Sequence, residues 1–301
     1  MMSAPVPTSS IMLIDGGMGR ELKDRGVRIP ETIWSAAALL EAPSAVTRLH
    51  GDFLDAGAEV IIANNYAVVP MLLGLEGLEP RLEELVSIAL DCAEGARSAT
   101  GTIARIAGSL SPLEHTYRPD LVRPFDENLR DYRRIVAAMA GRPDLLIVET
   151  MSTIDEARSA VSAGLESDGE VWASFTLADD DSGDLRDGSA PAAAIAAMVD
   201  LGVETVLFNC CRPEAITAAL RRAEGHGARR IGAYPNAVEA VPEGWDLNAP
   251  SEVSLRAVRD ELLLDHMDEW ADLGVSIVGG CCGIGPGTIS AVRTYLNAPA
   301  S

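Results

Sequence analysis

The chain has 301 residues, 48% hydrophobic and 23% charged, which supplies a large core and excludes global disorder. Lys and Arg number 24 against 45 Asp and Glu, a formal charge of -21, and this balance argues against a nucleic-acid-binding face and against polybasic attachment to a membrane. The length fits either two average domains or one large α/β barrel.

Taken in chain order, eight short apolar runs stand out: Ile11–Ile14, Glu59–Ala63, Ile103–Ala107, Leu145–Val148, Val171–Phe175, Thr205–Phe208, Arg230–Ala233 and Val275–Val278. Their continuous apolarity predicts strands buried on both faces, as in a parallel sheet. The first run is too short for a secretory leader and lacks a basic flank, and no uncharged apolar stretch approaches a transmembrane span, so a cytoplasmic protein is expected. Between the runs the pattern turns helical. Thr153 followed by Glu156 predicts a capping box, with Ile154, Ala157, Ala160, Val161 and Leu165 on one stripe. Ala192–Met198 is an Ala-rich helix, Pro213 fits a first helical position, and Pro286 through Leu296 closes the series. Ser111–Phe125 and Pro235–Ser251 read as inserted loops and Asp179–Asp181 as a solvated one. Eight strand–helix units with no linker between them predict a (β/α)8 TIM barrel, one domain over residues 1–301, with a doubly wound open sheet as the rival.

Each run ends in polar or small residues: Asp15-Gly16-Gly17, Asn64-Asn65-Tyr66, Gly108-Ser109, Glu149-Thr150, Thr176, Asn209-Cys210-Cys211, Tyr234-Pro235-Asn236 and Gly279-Gly280-Cys281-Cys282-Gly283. In a barrel these meet at the C-terminal mouth, where active sites are built; in an open sheet they would be spread along an edge. Closure would bring at least three thiols together. Of the five cysteines, four form the adjacent pairs Cys210-Cys211 and Cys281-Cys282. Neighbouring Cα atoms, ~3.8 Å apart, are too close for an ordinary internal disulfide. Metal ligation, redox chemistry and plain packing remain as readings, and the absence of a CxxC spacing weakens the second. Zinc suits three thiolates and an open position. Flanking glycines would let both Cys281 and Cys282 face it, with Cys210 or Cys211 as the third ligand. Cys92 reads as a small buried hydrophobe. His50, His115, His226 and His266 fall in helices or loops away from the strand ends and read as surface residues. The DGGMG stretch lacks the Lys-Ser/Thr of a phosphate loop.

Together, Asp15-Gly16-Gly17-Met18-Gly19-Arg20-Glu21-Leu22, Glu149-Thr150-Met151, Ser174-Phe175-Thr176, Arg186-Asp187-Gly188, Asn209-Cys210, Tyr234-Pro235-Asn236-Ala237 and Gly279-Gly280-Cys281-Cys282-Gly283 resemble the homocysteine S-methyltransferase family, in order and across nearly the whole chain. The resemblance implies zinc-dependent methyl transfer to the thiol of homocysteine, forming methionine, with Cys210, Cys281 and Cys282 as catalytic metal ligands and Cys211 as a bystander. It also implies substrate contacts from Asp15, Gly16, Glu149, Asn65, Tyr66 and Asn236. The partners are then homocysteine and a small methyl donor, S-methylmethionine or S-adenosylmethionine, with homo-oligomerisation left open. Tyr66, Trp172 and Trp245 are candidates for a cation–π contact with such a donor. The chain departs from the family pattern at Ala63-Asn64-Asn65-Tyr66, at Ser109-Leu110-Ser111-Pro112-Leu113-Glu114 and at Ile284-Gly285-Pro286. Betaine or another donor, a selenol acceptor, and a zinc barrel that binds a thiol amino acid without turnover stand as alternatives.

Overall fold

The structure is a computed structural model that describes residues 6–180, 182–225, 227–241, 254, 256 and 261–298. Asp181, His226, Trp245 and the part of the Pro235–Ser251 loop beyond Val241 lie outside the described residues. Strands and helices alternate: β1 Met12–Leu13, α1 Met18–Asp24, α2 Ala36–Glu41, α3 Pro43–Asp55, β2 Val60–Ile62, α4 Pro70–Leu75, α5 Leu82–Thr100, β3 Arg105–Leu110, α6 Phe125–Met139, β4 Leu145–Met151, α7 Ile154–Leu165, β5 Glu170–Phe175, α8 Pro191–Asp200, β6 Thr205–Asn209, α9 Pro213–Arg222, β7 Arg230–Tyr234, α10 Glu261–Asp272, β8 Val275–Val278 and α11 Pro286–Leu296. The eight strands are all parallel, in the order β1-β8-β7-β6-β5-β4-β3-β2. β1 and β2 close the ring through the Ile14–Val60 bridge, with Glu59 N–H donating to Leu13 O at 2.7 Å and Asp15 N–H to Val60 O at 3.0 Å. This is the (β/α)8 TIM barrel that the eight runs predict.

The core has the two layers a barrel requires. Inside the ring pack Ile14, Val60, Ile147, Trp172, Leu207 and Ile277, and a larger apolar layer lies between the strands and the outer helices. α7 begins as its sequence predicts. Thr153 Oγ1 accepts from Glu156 N–H at 3.0 Å, while the Glu156 carboxylate reaches back one residue further than usual, to Ser152 N–H at 2.9 Å. α9 and α11 start on Pro213 and Pro286, where a missing N–H costs nothing.

Three expectations shift. β3 starts at Arg105, and Ile103 is fully exposed before it. β3 and β4 run further than the apolar residues do, so Gly108, Ser109, Glu149 and Thr150 are strand residues rather than loop residues. The histidines are not all on the surface: His50 is buried in α3, where burial pushes it down to about 4, and His266 stacks on Trp270 with its Nδ1 3.0 Å from Thr217 Oγ1.

Candidate metal centre

Three thiols converge at the barrel mouth. The sulfurs of Cys210, Cys281 and Cys282 lie within 4.8 Å of one another, Cys281 at 2.7 Å and Cys282 at 3.8 Å from Cys210. Each arrives by a local departure from regular strand geometry. Cys210 follows the last residue of β6 with φ +50, a conformation that costs a non-glycine residue about 1–3 kcal/mol and must be held by its surroundings. Its N–H donates to Tyr234 O at 3.2 Å, and its carbonyl accepts from Thr176 Oγ1 at 3.3 Å. Cys281 and Cys282 sit in a tight turn in which Ile284 N–H returns to Cys281 O at 3.0 Å. Gly283, with φ +82, makes that turn accessible, so two sulfurs that a strand would place on opposite faces reach the same side. The turn is held on both flanks: Cys281 N–H donates to Pro235 O at 2.8 Å, Ala237 N–H to Cys282 O at 2.8 Å and Gly280 N–H to Asp15 O at 2.9 Å. Gly17 lets the loop after β1 approach it, because a Cβ there would lie 2.6 Å from Cys281 O.

Electrostatically the three thiols act as one group. Hydrogen bonding with Cys281 and Cys282 holds the Cys210 thiol well below its ordinary range, and the contact with Cys210, with burial, pushes Cys281 and Cys282 well above theirs. One thiolate is thus favoured within a cluster of three. Cys211 points into the apolar layer, and burial raises its thiol far beyond the usual range. Cys92 is likewise buried, in α5.

A cavity with about 120 Å³ of solvent-reachable space opens beside the sulfurs. A single water needs roughly 10–15 Å³ by the same kind of measure, so there is room for a small amino acid. Gly16, Tyr66, Glu149 and the three thiols line it, as do Trp34, Tyr117, Tyr234, Asn64 and Arg20. Glu149 is aimed there by a bulge: Val148 faces Ala173 and Met151 faces Phe175, so Glu149 and Thr150 together oppose Ser174 alone. Thr150 takes φ +63, and the Asn209 amide fixes it, accepting from Thr150 N–H at 2.9 Å and donating to Thr150 Oγ1 at 2.8 Å. Burial raises Glu149 to about 7, against a hydrogen bond of 2.5 Å from Ser109 Oγ. Asp15 is also raised well above the ordinary carboxylate range, first by burial and further by Glu149.

Other residues singled out by sequence take supporting positions. Asp15 accepts from Ile62 N–H at 2.8 Å, which ties β1 to β2. Asn65 clasps β3, donating to Ser109 O at 2.8 Å and accepting from Ser109 N–H at 3.1 Å, so both ends of its amide are engaged. Asn236 accepts from Val238 N–H at 3.1 Å and directs its amide nitrogen to Cys210 Sγ at 3.9 Å. Asp15, Asn65 and Asn236 do not line the cavity, whereas Gly16, Tyr66 and Glu149 do. Trp172 lies in the inner core. No sequence signal marks Tyr117, which lies in a loop read as an insertion and meets Cys210 across 93 positions, nor Trp34, which falls outside any quoted motif.

A closed (β/α)8 barrel that presents three free thiols, a buried carboxylate and aromatic residues at its C-terminal mouth defines a class: a barrel whose mouth carries a thiol cluster able to hold a metal ion beside a cavity. The family profile described as homocysteine S-methyltransferase matches residues 12–296, and the chain belongs to that family. It is 30% identical to the homocysteine S-methyltransferase of Escherichia coli (strain K12), over 94% of each chain. It is 29% identical to the selenocysteine methyltransferase of Astragalus bisulcatus, over 98% of this chain and 97% of that one. In three dimensions it is similar to the metallated form of the homocysteine methyltransferase MmuM from Escherichia coli, with a TM-score of 0.79 and 27% identity, covering 95% of this chain and 96% of that one. Among the described residues no helix is long and apolar enough to cross a membrane.

Proposed function

We propose that this barrel, residues 1–301 as one domain, transfers a methyl group from a sulfonium donor, S-methylmethionine or S-adenosylmethionine, to the thiol of homocysteine, with Zn2+ held by Cys210, Cys281 and Cys282. The observation that carries the reading is the convergence of three free sulfurs beside a cavity of amino-acid size. The donor set fits zinc. Bonds of about 2.3 Å in a tetrahedron set sulfurs ~3.8 Å apart, and Cys210 and Cys282 stand at 3.8 Å with Cys281 nearer. Three soft thiolates without a clustered carboxylate favour zinc over magnesium or calcium. Zinc held by these three thiols would supply Lewis acidity, which would lower the pKa of an acceptor thiol from its ordinary value of about 8.5.

The chain's own residues bind and orient. The Glu149 carboxylate, steadied by Ser109, receives the acceptor's ammonium group, which draws its own raised pKa back down. Gly16 brings main chain to the same cavity wall. Trp34, Tyr66 and Tyr234 offer ring faces to a cationic methyl carrier in the field of an acidic protein. The acceptor sulfur's lone pair forms the new C–S bond. The donor's C–S bond breaks, and its electron pair returns to the donor sulfur, so thiolate and sulfonium become two neutral thioethers. No proton moves in that step, and among the described residues no histidine lines the cavity. Positioning is the protein's main contribution. Free thiols of this kind need a reducing compartment, consistent with the cytoplasm.

The test is methionine formation from homocysteine with S-methylmethionine, S-adenosylmethionine, betaine or methyltetrahydrofolate, with and without a chelator. Turnover with a sulfonium donor that is lost on chelation and restored by Zn2+ is expected. Turnover with betaine alone defeats the donor assignment, and binding without turnover from any donor defeats the enzymatic one. A parallel arm with selenocysteine as acceptor follows from the 29% identity to the Astragalus protein.

A further inference from the structure

Cys210 receives a hydrogen bond from a loop that contributes no thiol. Tyr117, in the connection between β3 and α6, is 9% exposed and directs its hydroxyl to Cys210 Sγ at 3.0 Å, with Cys210 O at 3.1 Å. Its backbone holds φ +70, which is rare for an aromatic residue and places the ring against the thiols. The guanidinium of Arg186 lies 4.2 Å from the centre of that ring. Arg186 is fixed by Asp179 at 2.9 Å, with side chains only 10% and 12% exposed. Asp179 is thus not the solvated loop residue that its acidic run suggests. It also accepts from Val241 N–H at 3.1 Å, while its carbonyl accepts from Arg212 at 2.8 Å.

We propose that Tyr117, clamped by Arg186 and Asp179, is a positioning residue for the metal centre, whose hydroxyl donates to the Cys210 thiolate and sets the place and electron density of that sulfur as a ligand. This rests on the reading of the three thiols as metal ligands. A phenol has one proton to give, and an anionic sulfur attracts it more strongly than a neutral carbonyl does. A cation over the ring face draws density from the phenol and strengthens its O–H as a donor. Burying a guanidinium–carboxylate pair brings little stability over an apolar replacement, so anchoring a loop is no reason to use one. Groups that hydrogen-bond to metal ligands orient them and tune the metal, and their loss typically lowers metal affinity 10–100-fold.

The experiment compares the wild-type protein with Y117F and Y117L at one fixed pH, each loaded with Zn2+ and with Co2+. Affinity is read by competition with a chromophoric chelator, and sulfur density by the sulfur-to-cobalt charge-transfer band. Y117F keeps the ring under Arg186 and should retain the wild-type melting transition. Its metal affinity should fall about 10-fold or more, and its band should move to lower energy, because an undonated thiolate gives up an electron more readily. Y117L should lose the loop packing as well. If Y117F loses its cooperative melt, R186M decides, since it spares the hydroxyl but removes the cation from the ring and should give a smaller band shift of the same sign. A wild-type protein that takes up neither ion overturns the metal reading and this assignment with it. A wild type that binds both, beside a Y117F of equal affinity and unmoved band, overturns this assignment alone.

Discussion

At the N-terminal end of the barrel, Trp172 is covered by the guanidinium groups of Arg105 and Arg230, 6.0 and 5.5 Å from its ring. Both arginines pair with Glu170, and Trp172 Nε1 donates to the same carboxylate at 2.6 Å. Burial raises Glu170, but these partners prevail and hold it below the usual range. At the opposite end Asp15 and Glu149 are buried and make no ion pair among the described residues, and burial keeps both raised. The same strands carry both ends. At one end the Glu170 carboxylate is paired with two cations and the barrel is closed, while at the other Asp15 and Glu149 stand outside any ion pair among the described residues. In the proposed function a substrate ammonium is the cation that meets Glu149.

The largest effect that can break this contrast is at the thiols. With C281S and C282S combined, metal content should fall to background and kcat/KM for methionine formation by about a thousandfold or more, while the metal-free melting temperature stays near wild type. Full activity in the double variant would remove the chemical meaning of the mouth. The carboxylates give the next largest effect. An acid with a raised pKa in the fold keeps its proton longer than it does in the unfolded chain. Stability of the metal-free, substrate-free protein should therefore fall as pH climbs from about 4.5 through about 7, where Glu149 completes its share. Glu149 accounts for at most about 3 kcal/mol of that fall, and E149Q should flatten part of the slope in urea melts across this range. An unchanged slope would show that Glu149 ionises as freely as it does in water. Glu156, also raised to about 7 by burial, carries part of the remainder.

Much of this was legible in the sequence, and the failures share a cause. Helix α11 has the bounds Pro286–Leu296 that its stripe predicts, and Thr153 caps α7, because caps and periodicity are local. The thiol cluster was readable for a different reason: each cysteine ends an apolar run, and closing a barrel brings strand ends together. What could not be read depends on pairings set only in three dimensions. The Asn65 amide pairs with a strand 44 positions further on. Tyr117 meets Cys210 across 93 positions. The bulge at Glu149 and Thr150 leaves no trace in hydropathy, so the sequence brings Glu149 to the mouth without showing how it is aimed.

The smaller predictions ask whether the floor is structural alone. E170Q leaves two guanidinium groups around Trp172 without their counter-charge. Because the glutamate side chain is 35% exposed, water recovers part of the loss. The expected cost is about 1–2 kcal/mol in a urea melt, with kcat/KM unchanged at temperatures where the protein is folded. A fall in kcat/KM would mean that the floor shapes the mouth through the strands, and the two ends would not be separable. T153A is the mildest test and comes from the mouth side. It removes the acceptor for Glu156 N–H at the start of α7 and should cost about 1 kcal/mol. Glu156 follows from the same box: it still receives Ser152 N–H at 2.9 Å, so half of the reciprocal cap survives and the helix should fray rather than unfold. If activity falls by no more than the unfolded fraction explains, a polar group at the mouth end can be purely architectural. The functional part of the mouth then narrows to the residues whose buried polar groups lack a charged partner.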